Sequence, residues 1–470
     1  MGETLHTASD TIVARATPPG VAALAVVRMS GPQAIEVAAR VFEGADLTEA
    51  VSHTASVGFL RDEDGHSIDQ VVVTVFRAPR SATGEDVVEI SSHGGHLLPG
   101  RIVRALERAG ARPARAGEFT QRAFLNGKID LAQAESIAEL IHADAERAGD
   151  ISVEHLKGRY SELLTGIREE LLQATSLIEL ELDFSQEDVE FADRKRFEEM
   201  LMGARSILEE LVGSYRFGRI ARQGIRVVIA GRPNAGKSTL LNALLGFERA
   251  IVSEQAGTTR DEIEAEVEVD GLRLLFVDTA GIRETEDSIE AEGVRRSLRA
   301  ASGADAVLYL YDVTEGFHDE DRLILDRTGS DAPMLVLGNK VDLLDEPPEI
   351  PLGLDGTEGI PKTDFMISAR SITDQPALLD EILGRVIELV LEGAGAEEDH
   401  RIVLVERHHA HLRRALDAVD RSLEGFRGGL TGDLLVIDLR EALDELGKIT
   451  GQITNEDVLD QIFSKFCIGK

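Results

Sequence analysis

The sequence predicts an α/β domain with a parallel sheet, inserted into an α-helical bundle and preceded by a smaller α+β module. Three observations carry that expectation. A β-branched apolar run at Ile225–Ala230 leads straight into a glycine-rich loop and a helical stretch. Apolar residues recur at helical spacing on both sides of this region, from Leu131 onward and again beyond Glu388. The opening residues instead alternate short β-branched runs with turn residues. The expected boundaries are 1–127 for the α+β module, 128–223 with 388–470 for the helical domain, and 224–387 for the insertion.

In the first module, Thr11–Ala14 and Ala22–Val27 read as strands around the turn Pro18-Pro19-Gly20, with further strands at Val71–Phe76 and Val87–Ile90. Ile102–Arg108 reads as a helix. Three polar clusters stand out: Arg28–Gly31, Thr83–Ile90 with His93-Gly94-Gly95, and Gly117–Leu131. Composition alone assigns such clusters to surface charges and turns.

Helical periodicity then places Ile137, Leu140 and Ile141, followed by Leu163, Ile167, Leu171, Ile178 and Leu182, on buried stripes. A charged break at Ser185–Asp193 precedes Met200, Ile207, Leu208 and Leu211. Leu412, Ala415, Leu416, Val419 and Leu423 resume the pattern after the insertion, so one bundle is expected, reached through two chain crossings. Arg407–Arg414 contains three histidines, none of them four apart, and only Glu406 adjoins it as a carboxylate. That favours a solvated helix face over a metal site.

The insertion carries the chemistry. Gly231–Ser238 is G-x-x-x-x-G-K-S, which identifies a P-loop: its backbone, with Asn234, Ala235 and Gly236, wraps a phosphate at the start of a helix opening with Thr239. Lys237 reaches the β- and γ-phosphates, and the Ser238 hydroxyl is a Mg²⁺ ligand. Leu272–Val277 ends in Asp278-Thr279-Ala280-Gly281, the D-x-x-G that senses the γ-phosphate. Met334–Gly338 ends in Asn339-Lys340-Val341-Asp342, where the Asp342 carboxylate pairs with the two donors of guanine and is left unpaired by adenine. Asp364–Ile367 delivers Ser368-Ala369-Arg370 over the base. Four motifs, each ending a strand, match the ligand edge of a parallel α/β sheet and a P-loop GTPase domain.

Composition sets outer limits. A formal net charge of −35 makes the whole chain a poor unaided binder of nucleic acid. A single cysteine, Cys467, excludes an intrachain disulfide and points to a reducing compartment. Glu3, His6 and Asp10 precede any apolar run, and no apolar stretch approaches a membrane span, so a cytoplasmic protein without a signal peptide is expected.

The stretch Gly117-Glu118-Phe119-Thr120-Gln121-Arg122-Ala123-Phe124-Leu125-Asn126-Gly127-Lys128-Ile129-Asp130-Leu131 resembles the signature of the MnmE (TrmE) family of tRNA uridine-modification GTPases. The P-loop, Gly257–Asp261 and the final Phe466-Cys467-Ile468-Gly469-Lys470 agree with that family. The resemblance implies a homodimer whose first module binds a one-carbon tetrahydrofolate, 5,10-methylene- or 5-formyl-, through Arg28, Glu89, Lys128 and Lys470. It implies a heterotetramer with MnmG, which carries the FAD and most of the tRNA contact. Together they place an aminomethyl or carboxymethylaminomethyl group on carbon 5 of the wobble uridine. A free thiol beside the folate, rather than a nucleophile, is expected of Cys467.

Hydrolysis of GTP needs a substitute for missing parts. Ile282 follows D-x-x-G where many GTPases place a water-orienting glutamine, and no arginine finger is evident. The resemblance implies a K⁺ ion held by Asn234 and by a loop that includes Ser253, Gln255 and Thr258. Thr259 completes the Mg²⁺ shell, and Glu290 orients the attacking water through a second one. Lys237, Thr259 and Glu290 are the expected catalytic groups. Two alternatives stay open: a GTP-gated ribosome-assembly or signalling switch without one-carbon chemistry, and a folate-dependent transferase that GTP only regulates.

Overall fold

The structure is a computed structural model that describes residues 10–184, 194–246, 265–278, 303–328, 332–344, 362–392 and 399–470. The chain divides into two compact units. One comprises the chain up to Ile141 with Ser152–Arg205 and Arg414–Lys470; the other comprises His142–Ile151 with Ser206–Arg413.

The first unit contains a seven-stranded sheet of β1 (Ile12–Arg15), β2 (Leu24–Ser30), β3 (Phe42–Glu43), β4 (Thr54–Arg61), β5 (Ser67–Phe76), β6 (Val87–His93) and β7 (Arg112–Pro113). Their order is β3-β4-β5-β6-β2-β1-β7, antiparallel except for the β1–β7 pair. Val71, Val73 and Val75 alternate inward along β5, as a half-covered strand requires. The inner face packs under α1 (Ala34–Val41) and α2 (Leu98–Arg108) through Ile35, Ile102 and Leu106. On the opposite face, α3 (Glu118–Leu125) covers only the β1 end, where Phe119 joins Ile12 and Ala14. Val57 and its cross-strand partner Val72 stay exposed there.

The helices that follow are α4 (Leu131–His142), α5 (Glu146–Leu156), α6 (Arg159–Phe184) and α7 (Arg194–Gln223). Those after the insertion are α11 (Glu406–Arg427), α12 (Gly432–Thr450) and α13 (Glu456–Phe463). The two sets form one bundle. Leu131 and Ala134 pack with Leu459, Ile462 and Phe463, the Phe197 and Phe426 rings lie 4.8 Å apart, and Arg205 Nε donates to Asp420 Oδ1 at 2.6 Å. The register departs from the periodicity at Leu164, which takes the fully buried position of α6 in place of Leu163, in line with Ile167, Leu171, Ala174 and Ile178, and at Ile141, which is exposed at the end of α4. The break at Ser185–Asp193 lies outside the described residues.

The second unit holds a six-stranded sheet of β8 (Ile225–Ala230), β9 (Ala265–Val269), β10 (Leu272–Asp278), β11 (Ala306–Asp312), β12 (Met334–Asn339) and β13 (Phe365–Ile367). The order is β13-β12-β11-β8-β10-β9, parallel throughout except that β9 runs against β10. Central strand β11 is buried on both faces from Ala306 to Leu310, and so reads as an unbroken apolar run. Around the sheet stand α8 (Lys237–Leu245), α9 (Asp319–Thr328) and α10 (Pro376–Leu391).

Two segments outside the insertion expected from sequence join this unit. Ile151 of α5 and Ile402 with Leu404 ahead of α11 are buried in the same core as Val227, Ile229 and Leu337. Residues 144–147 also line the β9–β10 hairpin: Arg147 N donates to Gly271 O at 3.1 Å, and Arg273 Nη1 bonds Asp144 at 3.2 Å and Glu266 at 3.0 Å. A third correction concerns the histidine patch. His408 is 1% exposed and His409 stacks on Tyr215 with ring centroids 4.2 Å apart, so the face is packed rather than solvated. The reason is the helical period, which puts His408 in line with Leu412, Ala415 and Val419.

Candidate functional site

All four nucleotide motifs leave the same edge of the second sheet. β8, β10, β12 and β13 run in one direction, and their C-terminal ends deliver Gly231–Ser238, Asp278, Asn339–Asp342 and Ser368–Arg370. The loop after β8 is shaped by its glycines. Gly231 (φ 146°) and Gly236 (φ 104°) adopt backbone that disfavours side chains, and a Cβ would run into the Leu310 carbonyl at the first and the Asn339 amide at the second. Asn234 (φ 63°) is exposed at the tip of the loop. Ala235 is buried, while Ser238 and Thr239 are exposed at the start of α8. Lys237 Nζ donates to the carbonyl oxygens of Gly231 and Arg232, 2.9 Å each.

Asn339 joins the phosphate end of the edge to the base end. Its Nδ2 donates to Ala235 O at 2.7 Å and its Oδ1 accepts from Ala369 N at 2.9 Å, with the side chain buried. Lys340 (φ 72°) sends Nζ to Asp312 Oδ2 at 2.5 Å. Burial works against the charge on Asp312, but Lys340 and the hydroxyl and amide of Thr314 outweigh it and hold the carboxyl below its ordinary range. Asp342 is exposed in a 3₁₀ turn, open to a base. Ser368 Oγ is buried with no partner among the described residues, which suits a group whose partner is a ligand. Asp278 ends β10 opposite Ile229. Ser253, Gln255, Thr258, Thr259, Thr279, Ala280, Gly281 and Glu290 lie outside the described residues.

In the first unit, Arg28 and Glu89 are cross-strand neighbours on β2 and β6, with Arg28 Nη2 2.7 Å from Glu89 Oε1 and the guanidinium 5.9 Å from the centre of the Phe119 ring. Lys470 arrives beside them, its carbonyl accepting from Phe119 N at 3.2 Å. Lys128 is held elsewhere, with Nζ donating to Pro79 O at 3.1 Å. Cys467 is exposed, and its carbonyl accepts from Gly117 N at 3.4 Å.

Several residues that organise these sites escaped the sequence. Arg122 donates to both oxygens of Glu85, to Asp10 Oδ1 at 2.7 Å and to Glu118 Oε1 at 3.2 Å, while Arg112 Nη2 lies 2.5 Å from Glu118 Oε1. Ser30 Oγ adds a bond to Glu85 Oε2 at 2.7 Å. The three polar clusters of the first module are therefore one buried network. Burial opposes the Glu118 charge, yet the Arg112 guanidinium, the Arg115 amide and Arg122 hold its carboxyl below the usual carboxylate value. Glu118 and Arg122 stand inside the 117–131 signature and Glu85 inside the 83–90 cluster, while nothing in the sequence ties Asp10 and Arg112 to them. Asp312, Asp321 and Arg232 play comparable parts beside the P-loop.

The relatives of this chain decide its family. Residues 11–128 match the family described as GTP-binding protein TrmE N-terminus, and residues 131–467 match the MnmE helical domain. A protein of Salinibacter ruber described as tRNA modification GTPase MnmE is 55% identical over 98% of this chain and 99% of its own length. Its counterparts in Cytophaga hutchinsonii and Moorella thermoacetica are 44% and 42% identical, each over at least 98% of this chain and 99% of their own length. The chain belongs to the MnmE family of tRNA modification GTPases. Residues 117–131 are in part a structural staple: Glu118 and Arg122 hold α3 against Arg112 of β7 and against the 83–85 loop.

Proposed function

We propose that this chain is a K⁺-dependent GTP hydrolase that acts with the FAD-dependent protein MnmG on the wobble uridine of certain tRNAs. The pair adds an aminomethyl or carboxymethylaminomethyl group to carbon 5, with the carbon drawn from 5,10-methylene- or 5-formyl-tetrahydrofolate. One observation carries the nucleotide half of this reading: Asn339 ties the phosphate loop at Ala235 to the base loop at Ala369, so both ends of a guanine nucleotide meet a single preorganised edge.

Each group has a stated part. The loop amides from Asn234 to Thr239 and Lys237 hold the phosphates, and Asp342 with Ser368, Ala369 and Arg370 encloses the base. Asp278 through Gly281 sense the γ-phosphate. Ser238 and Thr259 suit Mg²⁺, and Asn234 with Ser253, Gln255 and Thr258 suit K⁺; Gly231 and Gly236, where the Leu310 carbonyl and the Asn339 amide leave no room for a Cβ, keep the positive-φ backbone that suits wrapping a phosphate–metal group. The two cations supply charge stabilisation at the phosphate oxygens. Glu290 orients the water.

For the folate, the Glu89 carboxylate suits the donor face of a pterin, and Arg28, Lys128 and Lys470 suit the carboxylates of the tail. The exposed apolar strip of Val57, Phe59 and Val72 supports a homodimer through the first module. Boundaries at 1–127, 128–223 with 388–470, and 224–387 separate the folate, helical and nucleotide parts. The acidic chain acts in the cytoplasm and leaves most of the tRNA contact to MnmG. No helix among the described residues is long and apolar enough to cross a membrane.

The test is reconstitution with MnmG, folate, GTP and undermodified tRNA, in K⁺ and in Na⁺, read by mass spectrometry of the wobble uridine and by phosphate release. Modified uridine and fast hydrolysis are expected in K⁺ only. Equal hydrolysis in Na⁺ removes the K⁺ role, and hydrolysis without modified uridine favours the switch alternative.

A further inference from the structure

Arg232 is the second residue of the P-loop, and its side chain turns away from the phosphate edge. The guanidinium is mostly buried against Asp321, the third residue of α9, whose side chain is fully buried. Arg232 Nε lies 3.0 Å from Asp321 Oδ2, and Nη2 donates to Gly316 O at 3.2 Å. Asp321 is itself held from two other directions, by the Tyr309 hydroxyl at 2.5 Å and by the His318 amide at 2.8 Å. The backbone of the same residue faces the other way: the carbonyls of Gly231 and Arg232 both accept from Lys237 Nζ. A buried arginine–carboxylate contact is directional, and losing one partner strands the other charge.

We propose that Arg232 is a positioning residue, clamped by Asp321 so that the 231–232 peptide and, through it, Lys237 are set for the β-phosphate of a guanine nucleotide. The segment after β11, which carries none of the four nucleotide motifs, thereby sets how long the nucleotide stays bound. The inference rests on the nucleotide reading of the loop.

The experiment compares the full chain with Arg232→Met, which keeps an unbranched apolar stem without charge, and Arg232→Lys, which keeps charge without the planar fork. A fluorescent GDP analogue gives dissociation rate and binding stoichiometry, and phosphate release at saturating GTP gives kcat. Arg232→Met should release GDP at least about tenfold faster at near-full stoichiometry and lower kcat as Lys237 loses its setting, and Arg232→Lys should recover part of both differences. Damage to folding alone would lower the stoichiometry and leave the release rate of the remaining sites unchanged. That result, or wild-type release by Arg232→Met, overturns the proposal. Where Arg232→Met does not fold, Asp321→Asn carries the same test, since it retains the size of the side chain and an acceptor for the His318 amide. Failure of the unaltered chain to bind the GDP analogue is a separate outcome and sinks the nucleotide reading itself.

Discussion

Asn339 spends both ends of its amide inside the protein, one on Ala235 and one on Ala369. Replacing it by Ala removes two buried hydrogen bonds and leaves the Ala369 amide without its acceptor. At about 1–2 kcal/mol for each, the loss is about 2–4 kcal/mol. We expect Asn339→Ala to weaken GDP binding by roughly 30- to 700-fold, checked by fluorescence titration. A loss below about threefold would mean that the two loops hold their shape without the bridge. Lys340 next to it keeps a left-handed backbone and an ion pair with Asp312, so the turn is fixed just ahead of Asp342.

At the scale of elements, α3 is the informative case. Its residues Glu118, Thr120, Gln121 and Arg122 are polar and all buried, so apolar periodicity cannot detect it. What holds it is charge, and charge titrates. The folded Glu118 carboxyl lies below its ordinary 4.5, and Asp10 lies below its ordinary 3.8, the latter because Arg112 and Arg122 outweigh the effect of burial. A carboxyl whose pKa falls on folding contributes stability that is complete above the unfolded value and is lost as pH drops through the folded one. The first unit should therefore weaken progressively below about pH 4.5, and Glu118→Gln should flatten that acid slope while costing about 3–5 kcal/mol at neutral pH. Urea midpoints across the acid range test both. An unchanged slope in Glu118→Gln would assign the acid sensitivity to other carboxyls.

The same contrast explains which elements were readable. β8, β10 and β12 are buried strands, and with the half-buried β13 each ends in a motif, so apolar run and chemistry mark the same place. β11 is as apolar but ends in Asp312, which belongs to no nucleotide motif, and it went unread. β4 also went unread, because Val57 and Phe59 face outward and erase the alternation that a half-covered strand should show. Among the candidate site residues, motif spacing marked those that follow the strand ends at one edge of the second sheet. It gave no sign of Asp321, nor that Arg232 would pair with it or Arg122 with Glu85, because those partners lie far apart in sequence and meet only in the fold.

On the scale of the molecule, the nucleotide unit is not one continuous insertion. Ile151, Ile402 and Leu404 complete its core from outside residues 224–387. Arg147 adds an ion pair to Asp399 at 2.6 Å, so the two flanking segments also hold each other. Ile151→Ala should destabilise the nucleotide unit by about 2–5 kcal/mol, although the residue precedes the P-loop by many turns of helix. Thermal unfolding followed by loss of bound fluorescent GDP would show it. No change in that transition would mean that Ile151 is dispensable to the core.

That arrangement has a consequence for the order of manufacture. A ribosome releases Ile151 early, yet the last apolar contacts of the same core, at Leu404, emerge roughly 250 residues later, or about 10–50 s at ordinary elongation rates. Ile151 must wait through that interval for the sheet it packs against, so the apolar side of its helix stays uncovered until the second unit is nearly complete.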